Sequence, residues 1–310
     1  MPSTSRKRVG LLVNPTAGRG RGAALGERAR AQLVTDGHDV HDVSGLTLEG
    51  ARAHATAAIA AGSIDLLCVV GGDGVAHLGA NLCAGTDLPL AIVAAGAGND
   101  NARSLGLPVH EPEAATALVT TGTIRPIDAG RCILPDGAVR WWLGVLGGGF
   151  DSVVSERAAG WSWPPGALRY PLAVVRELPT FTAIPYAVTV DGVRRETKAM
   201  LVAVANGPAF GGGMLVAPDA EYDDGFFDVL ILHKISVVEL VRLFPRVFKG
   251  THLTHPSVEI IRGRQVRLEA DGIVSQADGE RFEPLPIDLE IVPRALRVVA
   301  PRHTRAADVA

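Results

Sequence analysis

The sequence predicts an α/β N-terminal domain built on a doubly wound parallel sheet, followed by a mostly antiparallel β-sandwich. Three observations carry that prediction. Short apolar runs alternate with helix-like stretches as far as Arg125-Pro126, the pattern of strands joined by crossover helices. Three of those runs end in glycine-rich loops, at Asn14, Gly71 and Gly96. Past Arg125-Pro126 the pattern changes to strand-like runs, with Asp136-Gly137 and Asp191-Gly192 between some of them as hairpin turns.

The elements follow in order. Val9–Val13 suits a buried strand and leads into Asn14-Pro15-Thr16-Ala17-Gly18-Arg19-Gly20-Arg21-Gly22, a loop that is neither a Walker A motif nor a GxGxxG turn. Ala24–Thr35 is helix-like, with Leu25, Ala29 and Leu33 at four-residue spacing. His38–Val43 reads as a second strand and Thr47–Ala61 as a second helix, with Ala51, Ala55 and Ile59 on one stripe. Leu66–Val70 is the third strand, Val75–Ala84 a helix, Leu90–Ala94 the fourth strand, and Ala102–Leu105 starts another helical turn. In a parallel sheet the loops that follow strands share one edge, the edge where ligands bind. From Ile127 onward the strand-like runs are Val139–Leu146, Tyr186–Val190, Lys198–Ala205, Phe227–Leu232, Val258–Ile261, Gln265–Ala270 and Ile287–Val292, interrupted by helix-like stretches at about 166–178 and 236–249. Domains are expected at 1–127 and 128–294, with Ala295–Ala300 a candidate return to the first.

A chain of 310 residues favours two domains. With 47% hydrophobic and 20% charged residues it is globular in composition, and its 36 glycines and 20 prolines are spread between strands as turns. A net charge of −3 argues against nucleic acid as a partner. Cys68, Cys83 and Cys132 form no metal spacing, and Cys68 reads as a buried reduced thiol. No signal peptide and no run of ~18 apolar residues is readable, so a cytoplasmic location is expected. His77 and His233 lack ligand partners at diagnostic spacing and read as satisfied or solvent-facing.

Gly71-Gly72-Asp73-Gly74 carries the most chemistry. A buried strand ending in glycines lets backbone N–H groups approach a phosphate, especially where a helix begins next. Asp73 would repel phosphate unless a divalent cation or water lay between them. The competing structural readings are a tight turn for the glycines, helix N-caps for Asp73 and Asp100, a loop cap for Asn14, an exposed charge for Asp128 and a hairpin turn for Asp278-Gly279.

Together, Asn14-Pro15-Thr16-Ala17-Gly18, Gly71-Gly72-Asp73-Gly74, Gly96-Ala97-Gly98-Asn99-Asp100, Asp128-Ala129-Gly130, Asn206-Gly207 with Gly211-Gly212-Gly213, Asp223-Asp224-Gly225 and Asp278-Gly279-Glu280 resemble, in order and over nearly the whole chain, the diacylglycerol kinase catalytic family. The family also includes sphingosine kinases, and the soluble bacterial branch is the most similar. The resemblance implies two domains with an ATP cleft between them. Nucleotide contacts are expected from Asn14, Pro15, Thr16, Ala17, Gly18 and Ser44, from Gly71, Gly72, Asp73, Gly74 and Val75, and from Gly96, Ala97, Gly98, Asn99 and Asp100. It further implies Mg²⁺ held through water by Asp73 and Asp128, a second, structural Mg²⁺ at Glu221, Asp224 and Phe226, bound partly through backbone carbonyls, and a general base at Glu280 or Asp278. Val75 and Ala97 stand where the family usually or often has threonine, which removes two hydroxyls.

The expected activity is an ATP- and Mg²⁺-dependent lipid kinase acting on diacylglycerol or a related lipid, peripherally bound at the membrane surface. A homodimer is left open. A soluble-substrate kinase of the NAD kinase type, and a nucleotide-binding sensor without turnover, are the alternatives. The stretch from Arg157 to Arg176, with Trp161, Trp163, Leu168, Tyr170, Leu172 and Val175, mixes aromatic, apolar and basic residues as a membrane interface does, and equally as a helix packed on the β-domain. Leu240–Lys249, with Arg242, Arg246 and Lys249, is a second such surface.

Overall fold

The computed structural model describes residues 6–149, 172, 176 and 182–302. The chain forms two compact units, Met1–Ile127 with Arg294–Ala310, and Asp128–Pro293.

In the first unit, β1 (Arg8–Val13), β2 (Asp39–Asp42), β3 (Leu66–Gly71) and β4 (Leu90–Ala94) form a parallel sheet in the order β2-β1-β3-β4, and the end of β15 (Ile287–Ala300) adds beside β4 through Val298 and Leu90. Strands β3 and β4 are buried along their whole length, which is why they read as unbroken apolar runs. Alternate residues serve opposite faces. Val9, Leu11, Leu66, Cys68, Val70, Ala91 and Val93 meet α2 (Gly22–Thr35) and α6 (Pro112–Thr121) through Ala29, Leu33, Ala115 and Val119. On the other face α4 (Asp73–Cys83) lies so close that a Cβ on Gly79 would come within 2.7 Å of Leu90. Helix α3 (Leu48–Ala60) starts at Thr47, whose hydroxyl accepts the Gly50 N–H. Since β2 and β3 lie on opposite sides of β1, the sheet reverses direction between β1 and β3, the switch point at which such sheets bind ligands.

In the second unit the described strands pair antiparallel. They are the end of β5 (Thr123–Ile133), β6 (Val139–Trp142), β7 (Val145–Gly149), β8 (Ile184–Val190), β9 (Val193–Ala205), β10 (Phe227–His233), β11 (Val258–Gly263), β12 (Gln265–Glu269), β13 (Val274–Ala277), β14 (Glu280–Pro284) and the start of β15. This is the antiparallel β-sandwich that the sequence predicts. Strand β9 is its hub: its first half pairs β8, and its second half lies between β7 and β10. Period-two alternation gives each face its own core. Val202, Val204, Phe227, Val229 and Ile231 join Trp142 in one, while Ala203, Ala205, Leu230 and Leu232 join Met214 and α7 (Val237–Val247) in the other. Trp142 stacks on Phe227 at 5.5 Å and meets the edge of Phe282 at 5.9 Å.

Several expectations need correction. The Asn14–Gly22 loop contains a helical turn, α1 (Ala17–Gly20), and α2 begins at Gly22. Val139–Leu146 is two strands, broken at Leu143-Gly144. β13 and β14 were not anticipated. The helix expected at about 166–178, and the interfacial residues Arg157, Trp161, Trp163, Leu168, Arg169, Tyr170 and Val175, lie outside the described residues.

Candidate active site

In the first unit three strand-end loops come into contact. The Asn14 N–H donates to the Val70 carbonyl at 3.0 Å, which holds the first loop beside the end of β3. Gly72 and Gly96 meet backbone to backbone: a Cβ on Gly96 would stand 2.4 Å from the Gly72 Cα, and one on Gly72 3.1 Å from the Gly96 Cα. A Cβ on Gly96 would force the backbone apart, and one on Gly72 would need the facing loop to give by a few tenths of an ångström. Gly18 reaches the third loop, since a Cβ there would fall 2.6 Å from the Ala95 carbonyl oxygen.

Asp73 is not the N-cap of α4. Gly72 holds that position, and Asp73 is the first helical residue. Its Oδ1 accepts the Asn101 N–H at 3.1 Å, in the first turn of α5 (Asp100–Ser104), and its Oδ2 lies over Gly98. Asp73 therefore ties the second loop to the third. Asp100 is likewise not a cap; Asn99 is, in a left-handed conformation, with its amide group bonded to Gly96 through both Oδ1 and Nδ2. Asp100 pairs with Arg103 at 2.9 Å, and Arg103 also donates to the Gly98 carbonyl at 3.0 Å. Arg103, absent from the sequence motifs, thus anchors the third loop. Asn14 does cap its own loop: its Oδ1 accepts from the Thr16 N–H and hydroxyl. Val75 is buried and packs its methyls against Gly71, so apolar contact occupies the place of the missing hydroxyl, while Ala97 is exposed.

Ser44 ends β1 by accepting the Val13 N–H at 3.0 Å. It lines a cavity of about 330 Å³ with Pro15, Ala24, Glu27, Arg30 and Asp42. Burial works against ionisation of Asp42, but hydrogen bonds from Ser44 and the nearby Arg30 outweigh it and hold the carboxyl below its usual range.

In the second unit, Asp128, Asn206 and Asp278 are bound into one buried network through the break at Leu143-Gly144. Asp278 accepts the N–H groups of Leu143 at 2.9 Å and Gly144 at 2.7 Å. Asn206 donates its side-chain amide to the carbonyls of Asp128 and Leu143, and its own N–H to Gly144. Asp128 accepts the Gly225 N–H at 2.7 Å through Oδ2 and donates its own N–H to Tyr222. Leu143, Gly144 and Tyr222 belong to this network although sequence motifs did not reveal them, because each serves through its backbone. Asp278 and Gly279 both have positive φ, and Ala277 pairs with Glu280, so the motif is indeed a two-residue hairpin turn. Asp278 is buried, while the Glu280 side chain is exposed and makes no hydrogen bond or ion pair among the described residues.

Mg²⁺ takes one or two carboxylates and otherwise water and phosphate oxygens. Asp73, set among glycine N–H groups, fits that role, as does Asp128, whose neighbour Asn206 leaves its Oδ1 buried without a partner among the described residues, a place for an ordered water. In the acidic loop the Asp224 carboxylate is engaged from two sides. Asp224 accepts the Phe226 N–H and pairs with Arg262, which also lies 3.4 Å from Asp228 and over the Phe226 ring. Glu221 is exposed, and among the described residues no three His, Cys, Asp or Glu side chains converge. Arg262 is the positive charge facing Asp224 and Asp228 in this loop. Burial raises the Asp228 pKa against the pull of Arg262.

His77 is buried beside Asn81 at 3.2 Å, and His233 lies between Thr197 and Glu259. All three cysteines are free and buried, and burial pushes Cys68 and Cys83 up to about 12 and Cys132 to about 11, which makes them poor nucleophiles.

Solved structures show the fold. The chain matches a diacylglycerol kinase from Bacillus anthracis str. Sterne with a TM-score of 0.70 at 22% identity, over 98% of this chain and 100% of that one. It matches an NAD kinase from Archaeoglobus fulgidus, solved in complex with ATP, with a TM-score of 0.51 at 14% identity, over 95% and 94%. The fold is the one shared by diacylglycerol kinases and NAD kinases. Sequence comparison narrows this. Residues 8–132 match the diacylglycerol kinase catalytic domain, and residues 144–300 match the YegS C-terminal NAD kinase beta sandwich-like domain. The chain is 38% identical over 297 residues to the diacylglycerol kinase of Mycobacterium tuberculosis (strain ATCC 25618 / H37Rv), covering 96% of each. It is 27% identical over 305 residues to that of Bacillus subtilis (strain 168), covering 96% and 97%. The chain belongs to the diacylglycerol kinase family, and is a kinase by that membership.

Proposed function

We propose that the chain transfers the γ-phosphoryl group of ATP to the free hydroxyl of diacylglycerol, giving phosphatidate, in a Mg²⁺-dependent reaction. The observation that carries this reading is the contact of three glycine loops around Asp73 at the switch point of the first unit's sheet. The N–H groups of Gly72, Gly74, Ala97 and Gly98 are the phosphate donors, with Gly96 held in place by Asn99, and the cavity beside Pro15 and Ser44 takes the nucleoside. Its volume lies at the lower end of the range for small-molecule sites.

Phosphoryl transfer needs positioning, charge neutralisation and a base for the acceptor hydroxyl. Mg²⁺, held through water by Asp73 and Asp128, would supply the neutralisation. Glu280, exposed and unengaged, takes the proton of the lipid hydroxyl as its oxygen bonds to the γ-phosphorus and the bridging bond to ADP breaks. Asp278, clamped by two backbone N–H groups, orients the hairpin that presents Glu280. Asp278 is thus assigned a positioning role and Glu280 the base.

The test is incubation of the purified protein with ATP, Mg²⁺ and diacylglycerol in mixed micelles, with phosphatidate as the expected product. A folded sample that phosphorylates neither diacylglycerol nor related lipids overturns the reading. Formation of NADP from NAD in place of phosphatidate would select the soluble-substrate kinase that shares this fold.

A further inference from the structure

Helix α7 carries an apolar stripe on each side. Its inner stripe is structural: Leu240 and Leu243 are buried, and Phe244 and Val247 pack against the same core. Among the described residues the outer stripe has no such use. Val237, Val238 and Val241 are 40%, 59% and 54% exposed, and Phe248, at the C-cap, is 43% exposed with its ring edge-on to Phe244. At helical spacing these residues and the exposed Pro245 fall in one sector of roughly 100°, facing away from Leu240 and Leu243.

Charge flanks that stripe on one sign. Lys234, Arg242 and Lys249 are exposed. Arg246 donates to the Thr251 carbonyl and the Thr254 hydroxyl, which pins the basic C-terminal turn. The one acid in the segment, Glu239, is consumed by the capping box at Ser236, whose N–H and hydroxyl hold its carboxyl below the usual range. Residues 234–249 therefore hold four cations and one committed anion in a chain whose net charge is −3. Exposed valines and a phenylalanine beside lysine and arginine form the pattern of a helix lying in a lipid interface, where the apolar side chains enter the acyl boundary and the cations meet anionic headgroups. Such a helix lies on the membrane and does not span it; among the described residues no helix is long and apolar enough to cross one.

We infer that the outer face of α7 is the docking surface of this protein on an anionic membrane, through Val237, Val238, Val241 and Phe248 with Arg242 and Lys249. The physiological purpose rests on the lipid-kinase reading, since a kinase for a bilayer lipid must reach its substrate; the binding itself does not. The experiment is co-sedimentation of the full chain with vesicles of phosphatidylcholine alone and of phosphatidylcholine mixed with phosphatidylglycerol, at low salt and at physiological salt. Wild type should bind the mixed vesicles about tenfold or more tighter than the neutral ones, and added salt should weaken that binding. The double variant Val238→Asp/Val241→Asp should lose about tenfold or more. So should Arg242→Gln/Lys249→Gln, which keeps the apolar stripe and puts no charge into the helix. Both should keep the wild-type Tm and the wild-type turnover of a short-chain diacylglycerol dispersed below its aggregation limit.

Vesicle binding that is unchanged in either double variant overturns the inference, as does the absence of binding by wild type. A dimer by light scattering that Val238→Asp/Val241→Asp converts to monomer, with vesicle binding intact, would assign the face to a second copy of the chain and equally overturn it. Binding that follows the expected pattern in a protein with no lipid turnover would leave this surface standing and remove the kinase reading.

Discussion

Asp278 and Glu280 are separated by one glycine, yet their surroundings give them different work. The Asp278 carboxylate faces two backbone donors, and an amide in its place would turn its NH₂ toward one of them. A buried donor left without an acceptor costs about 1–3 kcal/mol. Asp278→Asn is therefore expected to lower Tm by several degrees as well as turnover. Glu280→Gln removes the base from an exposed, unengaged side chain, so it should lower turnover about 10²–10⁴-fold and leave Tm alone. Thermal scans and initial rates on the two variants check this; matched losses of Tm, or normal turnover in Glu280→Gln, would refute the division of roles. His252 gives a second residue-scale expectation. Its Nε2 donates to the Val216 carbonyl at 3.0 Å, and its buried Nδ1 has no acceptor among the described residues. Burial lowers its pKa below the ordinary 6.5, so the folded state prefers the neutral ring. The stability gained is present above about pH 6.5 and is lost as pH falls through that value, where the unfolded chain takes up the proton first. Tm should drop as pH falls below about 6.5, and His252→Gln should flatten that slope.

At the scale of elements, the contact between the second and third strand-end loops depends on two facing glycines. Gly96→Ala would drive a Cβ to 2.4 Å from the Gly72 Cα and 2.9 Å from the Asn99 oxygen that fixes the loop. Backbone must move, so the variant is expected to bind ATP about tenfold or more weakly by calorimetry, with Asp73 released from Asn101. Binding at wild-type strength would mean that these loops do not cradle the phosphates. Such loops were readable from sequence because each follows an unbroken apolar run, and a fully buried parallel strand leaves that signature. The β13–β14 hairpin leaves none. Glu280–Pro284 holds three charged residues, and its partner Val274–Ala277 is short, so only the Asp278-Gly279 turn marks it. The break at Leu143-Gly144 was hidden for a stronger reason. Those two N–H groups turn away from any strand partner to meet a carboxylate 135 and 134 residues along the chain, a tertiary demand that overrides the local apolar pattern. The pairing of Arg262 with Asp224 at the acidic loop is of the same kind, because Arg262 reaches it from β11.

For the whole molecule, the chain enters the second unit after Ile127 and leaves it after Pro293, so the first unit is made of two separate segments. Strand β15 serves both. Residues 287–290 pair with β12, the backbone turns through a positive φ at Arg294, and Val298 then pairs with Leu90 of β4. Leu296, Val298 and Val299 are buried, Ala295 accepts the Gly85 N–H at 2.8 Å, and Arg297 reaches Asp87. Fully burying a valine or leucine contributes about 1.5–3 kcal/mol, so the three together amount to about 5 kcal/mol or more. That is comparable with the whole stability of many domains. Without them β4 would also become an open, wholly apolar edge, a template for aggregation. Residues 6–127 expressed alone are thus expected to be insoluble or unfolded. The same segment joined by a short glycine–serine linker to residues 294–302 should fold and show a Tm that rises with ATP and Mg²⁺, because the three glycine loops and Asp73 all lie within it. Circular dichroism and thermal scans on the two constructions decide the matter: a stable, nucleotide-responsive fold from 6–127 without the returning strand would show that β15 is dispensable to the first unit.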